Sequence, residues 1–124
     1  MVREQGLQSI AETAASRWFT EDFIQQHSSI VATLSDDLAA GSADGYASCC
    51  EALALADLRD ELTKISIPVL IIAGQHDPVT TVADGKWMQQ HIANAQLVEI
   101  NASHISNIEQ PKQFNQFIDQ FLVT

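Results

Sequence analysis

The chain has 124 residues, with sixteen acidic side chains against six basic ones and a net charge of −10. That length holds one domain at most, with a modest core, and the acidic excess argues against nucleic acid or an anionic membrane surface as partner. No apolar run approaches the roughly 18 residues of a spanning helix, and the first residues lack the basic and apolar regions of a signal peptide, so a cytoplasmic location is expected.

The first 55 residues carry no strand signal and read as short helices. Val2, Gly6, Ile10, Ala14, Trp18 and Phe19 form a loose apolar face, and Arg17-Trp18-Phe19-Thr20 closes the first helix. Thr20 then precedes Glu21 and Asp22, acids placed where the dipole of a second helix favours them. Phe23, Ile24, Ile30, Val31 and Leu34 give that helix its apolar side, weakened in the middle by Ser28 and Ser29, and Asp36 opens a short turn through Leu38. Gly41-Ser42-Ala43-Asp44-Gly45 is the one linker-like stretch. Beyond it Tyr46, Cys49, Cys50, Leu53 and Ala56 recur at helical spacing, so the two cysteines are expected to be buried packing. Being adjacent they are poorly placed to bridge each other, and a reducing compartment suits them. Asp57 to Leu62 leads through Lys64 to the next element.

Ile67-Pro68-Val69-Leu70-Ile71-Ile72-Ala73-Gly74 is a short unbroken apolar run rich in β-branched residues. Without polar alternation it reads as a strand buried on both faces, which implies a parallel sheet. Pro68 fits only at its start. Gln75-His76-Asp77-Pro78-Val79-Thr80 is a turn, and Thr81 with Asp84 three residues on is a weaker relative of the capping box. The helix it opens carries Trp87, Met88, His91 and Ile92 on one face, where Trp87 and Met88 are expected in the core, and Asn94 can end it. Gln96 to Ile100 reads as a second strand, running into Asn101-Ala102-Ser103-His104. Strand, crossover helix and strand form a βαβ unit, so both strand ends lie at one edge of the sheet. Asp77 and His104 both follow strand ends, and ligands of open α/β sheets bind there. Beyond Pro111, Phe114, Phe117, Ile118, Phe121 and Leu122 have the spacing of an amphipathic helix that covers the sheet.

Pro68 to Pro78 and Ala102-Ser103-His104-Ile105-Ser106-Asn107-Ile108-Glu109-Gln110-Pro111 resemble the acid and histidine loops of the α/β-hydrolase family. The order of acid before histidine agrees with that family's Ser, Asp/Glu, His sequence order. The helices before the acid strand resemble the family's lid, so residues 1–60 are expected to be a lid segment and 61–124 the C-terminal part of the hydrolase core. More narrowly, Val2-Arg3-Glu4-Gln5-Gly6, Arg17-Trp18-Phe19-Thr20, Gly45-Tyr46-Ala47-Ser48-Cys49-Cys50 and Ser106-Asn107-Ile108-Glu109 look like the 3-oxoadipate enol-lactonase branch. The expected fold is therefore α/β: a partial α/β-hydrolase with a helical lid, a parallel βαβ unit and a C-terminal helix. The family's complete sheet has about eight strands, more than 124 residues can supply.

That resemblance implies hydrolysis of the enol-lactone of 3-oxoadipate in the β-ketoadipate route of aromatic catabolism, with no metal or organic cofactor. A serine hydroxyl attacks a lactone carbonyl only if a histidine removes its proton and a carboxylate orients and stabilises the imidazolium. By resemblance His104 is that base, Asp77 the orienting acid and Trp18 an aromatic wall for the substrate. No G-x-S-x-G occurs in these residues, so the nucleophile is expected on chain outside them. Cys49 and Cys50 lie inside a helix and not on a strand-to-helix elbow, which argues against their taking the serine's place. His27, His76 and His91 have no ligand spacing with one another, and no metal site is expected. The apolar strand at Val69 to Ala73 would then present an open edge, which invites a serine-bearing half or self-association. Other α/β-hydrolases, esterases and haloperoxidases among them, share the two loops. A non-catalytic interaction module is the alternative from another class.

Overall fold

The computed structural model describes residues 2–123. Among the described residues, six helices come before one βαβ unit in the chain and two follow it, and the chain divides into two compact units. One runs to Ser16 and continues over Glu21–Asp57; the other comprises Arg17–Thr20 and the chain from Leu58 onward.

At the start of the chain, α1 (Val2–Gln5) and α2 (Gln8–Trp18), whose last two residues belong to the second unit, replace the single helix expected there. Gly6 separates them at φ +74°, a left-handed conformation that glycine adopts without the steric cost of a β-carbon. Leu7, Ala11 and Ala14 are buried. The second expected helix is likewise divided, into α3 (Glu21–Gln26) and α4 (Ser28–Ala39). His27 interrupts them at φ −128°, and its ring lies 4.5 Å from that of Phe23. Asp36 is inside α4 and opens no turn of its own.

Helix α5 (Ala43–Leu55) starts where Ser42 accepts a hydrogen bond from the Gly45 amide at 3.1 Å. It packs against α1, joined by the Arg3 guanidinium, which donates to both carboxylate oxygens of Glu51 at 2.6 and 3.0 Å. That pairing holds the Glu51 carboxyl below its ordinary pKa. None of the residues of α5 is buried, and both cysteines are exposed, contrary to the expectation for them. Helical periodicity identified the apolar face, but periodicity does not state what covers it.

In the second unit, the one-turn α6 (Arg59–Leu62) leads to β1 (Val69–Gly74). This strand pairs in parallel with β2 (Ala95–Ile100), in a register that sets Val69 opposite Ala95 and Gly74 opposite Ile100. The crossover is α7 (Val82–His91). Its start is a complete capping box: Thr81 Oγ1 accepts from the Asp84 amide at 3.3 Å while Asp84 accepts from the Thr81 amide at 2.7 Å. Gly85 lets α7 lie close on the sheet, since a β-carbon there would stand 3.1 Å from the Leu97 side chain. Trp87 is exposed, not core, and stacks on His91 with ring centroids 3.9 Å apart.

The chain closes with α8 (Ser106–Glu109) and α9 (Pro111–Leu122), which packs on both strands. Phe114, Phe117, Ile118 and Phe121 turn toward the sheet and are half-buried, while Leu122 is exposed. Only the carboxyl end of β1 is fully buried, at Ala73 and Gly74. Burial on both faces was expected along its length. In this chain β1 has one paired edge, to β2, among the described residues.

Candidate active site

Both strands release their chains at the same edge, and the backbone ladder continues beyond them. The Gln75 amide donates to Ile100 O at 2.9 Å and the His76 amide to Ala102 O at 3.1 Å. The acid loop and the histidine loop are thereby laid side by side. Gly74 permits the approach: a β-carbon on it would come within 2.4 Å of Ser103 O and 2.8 Å of Ala102 O. A further tie joins the two loops where His76 Nε2 meets Asn101 Oδ1 at 2.8 Å.

Asp77 and His104 are brought into contact, with Nδ1 of the imidazole 2.9 Å from Oδ2 of the carboxylate. The Asp77 side chain is 5% exposed and the His104 side chain 36%. Asp77 Oδ1 accepts from the amides of Val79 at 2.7 Å and Thr80 at 3.0 Å, and Oδ2 accepts from the Thr80 hydroxyl at 2.8 Å. Burial pushes this carboxyl up, but the hydrogen bonds from His104, from both amides and from Thr80 together outweigh it, and its pKa lies below the ordinary value. Asp77 is therefore an ionised, acceptor-only group at neutral pH. Its neighbour Nδ1 must carry the proton, which leaves Nε2 of His104 as the free basic nitrogen.

A cavity of about 310 Å³ adjoins this pair, lined in part by Ile71, Ala73, Thr80, Gly85, Met88 and Ser106. The mixture of apolar wall and one acid–base pair is suited to a small, partly apolar molecule. Trp18 does not line that cavity; its carbonyl accepts from the Ile105 amide at 3.0 Å, and its ring meets Phe19 edge to face. Among the described residues no three His, Cys, Asp or Glu side chains are grouped to hold a metal ion, and no helix is long and apolar enough to cross a membrane.

Sequence reasoning missed two contributors to this arrangement. Thr80 supplies two donors to Asp77, its amide and its hydroxyl, beside the Val79 amide two residues past the aspartate, the position at which an aspartate turn closes on its own side chain. Glu109 is a buried carboxylate that accepts from the Ser103 amide at 2.8 Å. No local spacing announces it.

Residues 7–111 match the protein family described as the alpha/beta hydrolase fold. The chain belongs to the α/β-hydrolase family. It is 61% identical to 3-oxoadipate enol-lactonase 2 of Acinetobacter baylyi over 119 residues, covering 96% of this chain and 45% of that protein. It is 46% identical to 3-oxoadipate enol-lactonase 1 of the same organism over 121 residues, covering 98% of this chain and 46% of that one. The crystal structure of the enol-lactonase from Burkholderia xenovorans LB400 superposes with a TM-score of 0.95 at 40% identity, over 99% of this chain and 47% of that chain. This α/β-hydrolase chain thus spans less than half the length of the relatives it matches. What it shares with them is the partial fold expected from the sequence: helices, two parallel strands and a C-terminal helix.

Proposed function

We propose that this chain is the lid and acid–histidine part of an enol-lactone hydrolase, acting on the enol-lactone of 3-oxoadipate in aromatic catabolism. The observation that carries the reading is the 2.9 Å pairing of His104 Nδ1 with an ionised Asp77, at the carboxyl ends of two parallel strands. The 61% identity to an enol-lactonase supports the substrate class.

In this reading a serine from chain outside these residues attacks the lactone carbonyl while His104 Nε2 takes its proton. Asp77 holds the ring in the Nδ1–H tautomer and stabilises the imidazolium that forms. The acyl C–O bond then breaks, and the imidazolium returns its proton to the departing enol oxygen. Water attacks the acyl-serine with His104 again as base, releasing the acid and restoring the hydroxyl. Residues 1–60 act as the lid and 61–124 as the C-terminal part of the core, with Trp18 a wall against the substrate. No metal or organic cofactor takes part, and a cytoplasmic location fits a small soluble metabolite. The free edge of β1 receives the serine-bearing half or a second copy; a sedimentation profile of a monodisperse monomer that binds no such half would remove this element.

The deciding experiment combines the purified chain with a serine-bearing N-terminal half of an enol-lactonase and follows enol-lactone hydrolysis. Activity that needs both parts and disappears in His104→Ala is the expected result. Hydrolysis unaffected by His104→Ala, or none on combination with a half that associates, would overturn the reading.

A further inference from the structure

Glu109 is 9% exposed, and among the described residues its hydrogen bonds come from neutral donors and not from a cation. Its carboxylate instead gathers neutral donors from two distant stretches of chain. One oxygen accepts from the Ser103 amide at 2.8 Å, both lie 3.4 Å from the Thr20 amide, and the Thr20 hydroxyl donates to the other oxygen. Burying a carboxylate is costly unless its lone pairs are filled, and charge-assisted bonds of this kind are about twice as strong as neutral ones. An ordinary packing position would be occupied more cheaply by an apolar side chain. The one-turn helix α8 is what brings Glu109 back beneath Ser103, since the amides of Ile108 and Glu109 both donate to Ile105 O.

The partners of this carboxylate flank the two residues to which the mechanism assigns the base and the wall. Ser103 immediately precedes His104, and its hydroxyl donates to His76 O at 3.2 Å and toward Arg17 O at 3.5 Å. Ile105 immediately follows His104, and its amide donates to Trp18 O at 3.0 Å. Thr20 stands two residues beyond Trp18, and Arg17–Thr20 belongs to the same compact unit as the strands. The main chain on both sides of His104 is therefore stitched to the segment that carries Trp18. Among the described residues, the Glu109 carboxylate accepts from both stretches, from the Ser103 amide and from the Thr20 amide and hydroxyl.

We propose that Glu109 is a positioning residue: one buried carboxylate sets the His104 main chain and, through Thr20, the Trp18 segment, so base and substrate wall are placed together. The inference deepens the reading of His104 as the base and of Trp18 as the wall, and rests on it. A displacement of about 1 Å at a reacting group can cost on the order of 100-fold in rate, so a group that fixes two such elements has a function apart from stability.

The test uses the full chain and needs no substrate. The readouts are the NMR signal of the His104 Nδ1 proton shared with Asp77, and Trp18 emission in a Trp87→Phe background. Glu109→Ala is expected to lose or shift the first and shift the second while the protein remains folded by circular dichroism. Glu109→Gln keeps an oxygen for the Ser103 amide and is expected to restore the His104 signal. Thr20→Val is expected to move Trp18 emission alone. A folded Glu109→Ala whose two signals match the wild type, with only a lowered unfolding midpoint, would overturn the proposal. If Glu109→Ala does not fold, Glu109→Gln and Thr20→Val decide: Trp18 emission unchanged in both would overturn it, and a Trp18 shift beside an intact His104 signal would support it. With a serine-bearing half added, kcat should fall on the order of 100-fold in Glu109→Ala and largely recover in Glu109→Gln. Inactivity of the wild type in that last assay would count against the enol-lactone reading and leave the positioning result standing.

Discussion

Gly74 faces the carbonyl of Ser103 so closely that a β-carbon on it would stand 2.4 Å from that oxygen. Both sides of this contact are main chain, so neither can turn away as the end of a flexible side chain could. Gly74→Ala should therefore push the histidine loop from the acid loop. Overpacking of this kind costs about 1–3 kcal/mol, read as a lowered urea midpoint, and the Nδ1 proton signal of His104 should weaken with it. A variant of wild-type stability with that signal intact would show that the loops yield more readily than their backbone contact implies.

Asp77 accepts four hydrogen bonds and donates none. Asp77→Asn puts an amide N–H within reach of the ring and allows the opposite tautomer, with the proton on Nε2 and no base toward the nucleophile. In a chain complemented with a serine half, kcat should drop on the order of 10⁴-fold with little change in KM. A loss under tenfold would mean that Asp77 does not set the tautomer.

The same carboxylate makes stability depend on acid pH. Its folded pKa is held below the ordinary carboxylate value, so below neutrality the unfolded state takes up a proton first. The stabilisation is fully present above the unfolded pKa of about 3.9 and is lost as pH falls through the lower folded pKa. The stability gap between wild type and Asp77→Asn should accordingly be constant near neutrality and narrow below about pH 4. Urea midpoints collected across that range test the sign; a gap that widens on acidification would contradict it.

Thr81 and Asp84 close the amino end of α7 reciprocally. Removing the hydroxyl in Thr81→Ala should cost about 1 kcal/mol, seen as a lower denaturation midpoint. Because the change lies on the crossover and leaves both strand ends intact, the His104 Nδ1 signal should persist at temperatures where the protein is folded.

Much of this architecture was legible locally. The unbroken apolar run after Pro68, the Thr81 cap, the second strand and the stripe beyond Pro111 all became elements of the expected type. Short-range signals failed where helices divide. Gly6 and His27 interrupt runs whose apolar spacing alone continues across them, and a positive φ at one glycine is not written in periodicity. Spacing also assigned Cys49, Cys50 and Trp87 to buried faces, yet all three are exposed. A pattern can mark a side of a helix as apolar without naming the surface that meets it.

The order of the elements and the places of Asp77 and His104 just beyond the strand ends were readable from the chain alone, because caps, turns and strand composition act between near neighbours. Tertiary folding brought Asp77 and His104 to 2.9 Å, since that contact depends on the parallel register of β1 with β2 and on the space left by Gly74. It alone also joined Glu109 to Thr20 across 89 residues. A buried carboxylate takes its partners from wherever folding delivers donors, and the chain's local pattern does not record that delivery.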